Sequence, residues 1–388
     1  MTVRRPNLAT ETRLAHAAAG AGATLPAETV APAIQRGSTV LAADVQGLYA
    51  ADKPTYGRQG LASQKAFAAG MCELEGAEFC QLYGSGLAAV TGALMSVLHA
   101  GDTLLVTDGV YDPVRNFCES FLTRFGVSVV YYPATAAPEE ILALAPPSTR
   151  ALLLESPSSL TFEMVDVPAV AKLARDRGIL TLIDNTWGAG LVFKPLDHGV
   201  DMSIQALTKY VCGHSDVFLG SVCVRDAKLE ALLKRTMIDA GFGVSGEDAY
   251  LGLRGLRTLP ARFHSQAASA LKIARWLETH PAVARVLYPA LPSDPGHGLW
   301  QRDFTGACSL FTLDLHPAPA DKVVAAMEGL SLFGLGFSWG GFESLVVPAK
   351  PRRAGKPFSS GPLVRLHIGL ENPDDLVADI EDAFQVLR

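Results

Sequence analysis

The sequence predicts an α/β chain in which a mostly parallel sheet, flanked by helices, follows an N-terminal arm and precedes a smaller α/β unit. Three observations carry this. Strand-like and helix-like segments alternate from Gly60 onward. Several strand-like runs are short and apolar on both faces, as strands covered by helices on two sides must be. The pattern then changes after about Gly255, and a chain of 388 residues exceeds the roughly 250 to 300 at which one hydrophobic core stops growing.

Residues 1–60 are rich in Thr, Ala, Gly and Pro without a sustained period, and read as an arm of the kind that reaches a neighbouring subunit. The large unit is expected over 61–255. It begins with LASQKAFAAGMCELEG as helix, AEFCQLY as strand, GLAAVTGALMSVLHAG as helix, TLLVTDGVY as strand, RNFCESFLTRFG as helix and VSVVYY as strand. ALLLESP continues as strand, followed by the helix VPAVAKLARDRG, with Pro168 near its start and Gly178 beyond its last apolar turn. ILTLIDNTW, MSIQAL and FLGSVCV complete the strands. The smaller unit, 256–388, opens with RTLPARFHSQAASALKIARWLETH as one long helix bearing a proline near its beginning. VARVLYPAL, SLFTLDL, ADKVVAAMEGL and LVRLHIGL follow, and a helix spans Pro373 to Leu387.

With 49% hydrophobic and 19% charged residues the chain can bury a sizeable interior, which excludes a disordered protein. Lys and Arg number 33 against 39 Asp and Glu, a net −6 without a basic block, so no nucleic-acid or membrane partner is expected and a small-molecule ligand fits better. The N-terminal text lacks the apolar core of a leader, and no stretch approaches the ~20 apolar residues that span a bilayer; the expected location is cytoplasmic. Six scattered cysteines form no CxxC pair and read as buried thiols.

The chemistry gathers at strand ends. Asp184 closes ILTLID, at the carboxyl end where open α/β sheets bind ligands. Alone, it reads better as a helix cap or a surface ion pair than as a ligand-binding group. Lys209 follows MSIQAL in LTKYVCGHSDV, a position usually taken by a lysine whose stem snorkels along the surface. Tyr83-Gly84-Ser85-Gly86-Leu87 turns from the first strand into its helix, so that amides and the Ser85 hydroxyl can face a phosphate. Tyr111, at the next strand end, offers an aromatic plate; ordinary packing is its simpler explanation. Phosphate cradle, aromatic plate, carboxylate and amine together match one cofactor, pyridoxal 5′-phosphate.

TYGRQG, LYGSGLAAV, LIDNTWGAG, LTKYVCGHSDV and RLHIGLEN resemble the transsulfuration family of cysteine and methionine metabolism over essentially the whole chain. The resemblance implies the fold-type I architecture of pyridoxal-phosphate enzymes, with a seven-stranded sheet. It makes Lys209 the Schiff-base lysine and Asp184 the partner of the pyridine nitrogen. Tyr111 would stack on the ring and assist catalysis, while Gly84, Ser85 and Thr208 would hold the phosphate. Tyr56 and Arg58 would reach that phosphate from a neighbouring subunit of a homotetramer built from dimers, with Tyr56 also near the substrate. Arg365 would grip the substrate α-carboxylate, and Ser338 and Trp339 would line the same pocket. VYDPVRNFC, YLGLRGLRTLP and FSWGGFESL point to the β-eliminating branch, because the synthases and γ-lyases usually carry leucine where Trp339 stands. The implied reaction is cleavage of L-cystathionine to homocysteine, pyruvate and ammonia, with cysteine or cystine as side substrates. Many family members carry a serine at the position of Ala206, so the phosphate grip here leans on Thr208, Arg58 and backbone amides.

The alternatives are a γ-lyase or γ-synthase of the same family, and two other classes. A serine hydrolase would need a GxSxG elbow, but Leu82 and Val217 interrupt the two candidates. A dinucleotide-binding protein would need its glycine run early in a βαβ unit, and Gly334, Gly336 and Gly340 lie late. No metal site is expected among the nine histidines; His214, near the lysine, has no paired ligand spacing.

Overall fold

The computed structural model describes residues 9–17, 29–49, 53–353 and 358–388; of the arm expected over 1–60, residues 1–8, 18–28 and 50–52 lie outside the described residues. β1 (Phe79–Tyr83), β2 (Thr103–Thr107), β3 (Ser128–Tyr132), β4 (Thr149–Glu155), β5 (Leu180–Asp184), β6 (Met202–Gln205) and β7 (Gly220–Val224) form one seven-stranded sheet in the order β1-β7-β6-β5-β4-β2-β3. β7 runs antiparallel to both its neighbours, β1 and β6, and every other pairing is parallel. The carboxyl ends of β1 to β6 therefore share one edge.

Two cores explain the two-faced apolar strands. Leu104, Val106, Leu153, Leu182 and Ile204 pack on one face of the sheet, and Leu105, Leu152, Leu154 and Ile183 on the other. Side chains alternate along a strand, so a sheet covered on both faces needs uninterrupted apolar text. The helices Ala62–Glu75, Gly86–Val97 and Val167–Asp176 lie where the sequence predicts them. The helix expected from RNFCESFLTRFG begins at Asp112 and changes character: an α turn to Asn116, a wider π turn over Phe117–Phe121 and a 3-10 turn over Leu122–Phe125. Ala227–Asp239 is a further helix, with Leu229, Leu233 and Met237 buried at four-residue spacing.

The long helix runs Gly246–Leu277, starting well before Arg257, with Ser245 accepting the Asp248 N–H as its cap and Pro260 inside it. The division expected after Gly255 thus falls within a continuous helix. Gly255 belongs there because a β-carbon would stand 2.4 Å from the Val211 carbonyl oxygen. Beyond it, β8 (Val283–Leu287), β9 (Leu310–Leu315), β10 (Gly334–Leu335), β11 (Leu345–Ala349) and β12 (Leu363–His367) form a second sheet in the order β10-β11-β12-β9-β8. β11 contains Pro348, tolerated because the two-residue β10 pairs only with Leu345 and Val346 and leaves that edge free of a ladder bond. Pro373–Phe384 closes the chain as helix, with a 3-10 turn after it.

Two arginines in the β11–β12 connection cross to the large sheet. Arg353 meets Glu163 at 2.8 Å and Asp108 at 3.3 Å, all three side chains nearly buried. Arg352 meets Asp112 and Glu119, each at 2.9 Å. Among the described residues, no helix is long and apolar enough to cross a membrane.

Candidate active site

β4 and β5 end side by side, with Glu155 in register with Asp184. The Asp184 carboxylate accepts the Thr186 N–H at 2.9 Å and the Thr186 hydroxyl. The same hydroxyl oxygen accepts the Ala206 N–H at 2.9 Å, which ties the acid to the loop carrying Lys209. Burial raises the Asp184 pKa above the usual carboxylate range, against the opposing bonds from Thr186 and the charge of Lys209. Glu155 is held well above that range, by burial and then by the negative charge of Asp184. Its carboxylate accepts the Tyr111 N–H at 2.8 Å, anchoring the loop after β2.

Lys209 lies in the turn after β6, and its Nζ donates to Ser338 Oγ at 2.8 Å. Burial lowers its pKa to about 8, with the Arg365 charge adding and Asp184 opposing. The Trp339 ring centroid is 5.4 Å from Nζ, and that ring meets Tyr210 edge-on at 5.3 Å. Arg365, on β12, donates to the Ser338 carbonyl at 3.0 Å. It forms no ion pair among the described residues, and burial lowers its pKa to about 10. A guanidinium that surrenders hydration without gaining a carboxylate is set up for an anion. The Tyr111 hydroxyl is raised by burial and then by the charge of Asp184, so it stays a neutral phenol, which suits stacking better than proton abstraction.

At the opposite end of the group, Ser85 caps the helix Gly86–Val97 by accepting the Ala88 N–H at 3.1 Å, which leaves its own hydroxyl proton available. The first amides of the helix have no acceptor within it, and they point out of its positive end. A β-carbon on Gly86 would stand 2.4 Å from that of Ala206, so this turn sits directly on the lysine-bearing loop.

Residues 11–385 match the family model described as Cys/Met metabolism PLP-dependent enzyme. The chain belongs to this family. It is 44% identical to a cystathionine beta-lyase of Bordetella avium across 85% of this chain and 83% of that one. The cystathionine beta-lyase MetC of Escherichia coli is 41% identical, with 85% of each chain covered. The crystal structure of cystathionine gamma synthase from Xanthomonas oryzae pv. oryzae in complex with cystathionine superimposes with a TM-score of 0.90 at 30% identity, covering 98% of both chains.

As a member of a pyridoxal-phosphate-dependent family, the protein offers groups that fit the cofactor. Asp184 makes no ion pair among the described residues, and a protonated pyridine nitrogen would supply the cation it lacks. Lys209 has a hydroxyl as its hydrogen-bond partner and a pKa lowered by burial to about 8, which brings its neutral amine within reach. The Ser85 hydroxyl and the first amides of its helix are donors that a phosphate would fit. Thr208 is less ready than the sequence suggests: its hydroxyl donates to the Leu219 carbonyl at 3.1 Å and accepts the Leu219 N–H at 3.0 Å, so it must turn to donate elsewhere. Gly84 leaves the turn open, the nearest atom to a β-carbon there being Gly243 O at 3.6 Å.

Tyr56 and Arg58 do not join this cluster within the chain. Tyr56 bridges Thr39 across the arm, and Arg58 lies over the Tyr56 ring at 5.6 Å and beside Gly243. Conversely, the sequence reading passed over Glu155 and Thr186. Glu155 was within reach of the rule that found Asp184, being an acid at the carboxyl end of an apolar strand. Thr186 carries no such signal, because its role depends on the turn that folds it back onto the acid.

Proposed function

We propose that this enzyme is a carbon–sulfur lyase that cleaves L-cystathionine by β-elimination to homocysteine, pyruvate and ammonia. The observation that carries the reading is the convergence of Lys209 Nζ, Ser338, Trp339 and Arg365. The cystathionine beta-lyases at 41 to 44% identity support it. Arg365 binds the α-carboxylate as a planar fork. Lys209, desolvated so that its neutral form is accessible near pH 8, takes the proton from Cα. Pyridoxal phosphate, when bound, supplies the electron sink for the charge left at Cα, and Asp184 keeps the pyridine nitrogen protonated. As the Cβ–S bond breaks, its electron pair leaves with sulfur, and Lys209 returns its proton there to release a thiol. Water converts the remaining three-carbon fragment to pyruvate and ammonia. Ser338 holds Nζ in place between the two proton transfers.

Tyr56 and Arg58 serve the phosphate of a neighbouring subunit in this reading, and the active form is a cytoplasmic homo-oligomer, a tetramer of paired dimers. Leu41 and Tyr49, on the arm, are 91% and 84% exposed in the isolated chain, as residues awaiting a second copy would be. The likeness to a cystathionine gamma synthase makes γ-elimination the second reading. Incubation with L-cystathionine separates the two. Pyruvate is the expected keto acid, and 2-oxobutyrate as the main product overturns the β-specific assignment.

A further inference from the structure

His367 stands two residues beyond Arg365 on β12, so both side chains project from one face of the strand. It is fully buried. Its Nδ1 lies 3.0 Å from Ser309 Oγ, which lies 2.9 Å from the Tyr210 hydroxyl, and Tyr210 follows Lys209 in the chain. Its Nε2 lies 3.2 Å from the Gly341 carbonyl, and the Gly340 N–H approaches the ring at 3.2 Å. Ser309 N–H also donates to the Tyr210 oxygen at 2.9 Å, so serine and phenol are joined twice. In one tautomer Nε2–H donates to the Gly341 carbonyl and Nδ1 accepts from Ser309; in the other Nε2 accepts the Gly340 N–H and Nδ1–H donates to Ser309, and both hold the ring between Ser309 and the turn. A neutral imidazole alone can accept at one nitrogen and donate at the other, and burial beside Arg365 and Lys209 keeps it neutral, its pKa lowered to about 3.

What this chain holds is a strained turn. Ser338 has φ of 121°, unusual for a residue with a side chain, and Gly340 has φ of 80°. A β-carbon on Gly340 would stand 2.7 Å from the Lys209 carbonyl carbon and the Tyr210 nitrogen, so the turn rests on the lysine's own backbone. On one side Arg365 fixes the Ser338 carbonyl; on the other Gln266 donates to the Gly341 carbonyl, and the His367 ring lies within hydrogen-bond distance of both the Gly340 N–H and that carbonyl. Between these two anchors lie the hydroxyl that accepts from Lys209 Nζ and the ring of Trp339.

We propose that His367, acting through Ser309 and Tyr210, is a positioning residue that clamps the Ser338–Gly341 turn against Lys209 and so sets the lysine's hydrogen-bond partner and the Trp339 wall of the substrate pocket. The proposal rests on the lyase reading for its kinetic consequences but not for its spectroscopic ones.

The test uses the cofactor-loaded enzyme and three variants, His367→Phe, His367→Gln and Ser309→Ala. The first readout is the pH midpoint of the cofactor absorbance band without substrate, which reports the surroundings of the Lys209 nitrogen. His367→Phe is expected to move it by about half a unit or more, and to lower kcat by about tenfold, the value of one buried hydrogen bond. His367→Gln, whose amide can still donate to the Gly341 carbonyl, should recover most of both. Ser309→Ala, which cuts the relay with little change in volume, should move the midpoint in the same direction and decides the matter if His367→Phe does not fold. An unchanged midpoint and unchanged kcat in folded, cofactor-loaded His367→Phe or Ser309→Ala overturns the proposal. A shifted midpoint in an enzyme that yields no pyruvate from L-cystathionine upholds the clamp and removes the substrate assignment instead.

Discussion

Glu155 shows how a single side chain acts through its protonation state. Burial and the neighbouring Asp184 charge keep it protonated, while its carboxyl anchors the Tyr111 N–H. A neutral amide reproduces both properties. Glu155→Gln is therefore expected to keep kcat/KM within about threefold of the parent, whereas Glu155→Ala, which leaves a buried N–H without an acceptor, should lower it by roughly tenfold. Steady-state kinetics on both variants checks this, and a Gln variant as impaired as the Ala variant would show that an ionised carboxylate is required. Lys209, Asp184 and Ser85 could be picked out in the sequence because each stands at a strand end or helix start, whereas Arg365, in the middle of β12, entered only through the family resemblance of RLHIGLEN. Thr186, Ser309 and His367 were not, since their partners lie 20, 99 and 58 or fewer positions away and only the folded chain brings them together.

The strands of the large sheet were readable because a sheet covered on both faces writes continuous apolar runs, and β4 and β5 have their expected bounds within a residue or two. The start of the long helix was not. Gly252 and Gly255 weaken the helical signal locally, yet the helix passes through both because its neighbours leave no room for a side chain. β11 was hidden by Pro348 for a related reason: the rule against proline in strands fails where the partner strand is too short to require the bond. The β11–β12 connection carries a prediction of its own. Arg353 is 9% exposed and faces two carboxylates that are 11% and 14% exposed, so Arg353→Met would leave Asp108 and Glu163 together without their cation. The expected loss is about 3 to 5 kcal/mol, read as a lower midpoint in denaturant unfolding of the cofactor-free chain. Arg352→Met, which removes solvent-screened exposed pairs only, should leave the midpoint nearly unchanged by the same measurement.

At the scale of the molecule, two sheets and a continuous helix bring together groups that would each be poorly placed alone: a half-buried amine, an acid raised by burial and an arginine that makes no ion pair among the described residues. The first sheet contributes the amine and the acid, and β12 of the second contributes the arginine. Six of the large sheet's strands present their carboxyl ends at one edge, so the site is a product of topology as much as of side-chain chemistry. The most direct test is to reduce the cofactor-loaded enzyme with borohydride, digest it and locate the retained pyridoxyl phosphate by mass spectrometry. The label is expected on one peptide, at Lys209. A label at another lysine, or none in an enzyme that is active before reduction, would contradict the account at its centre.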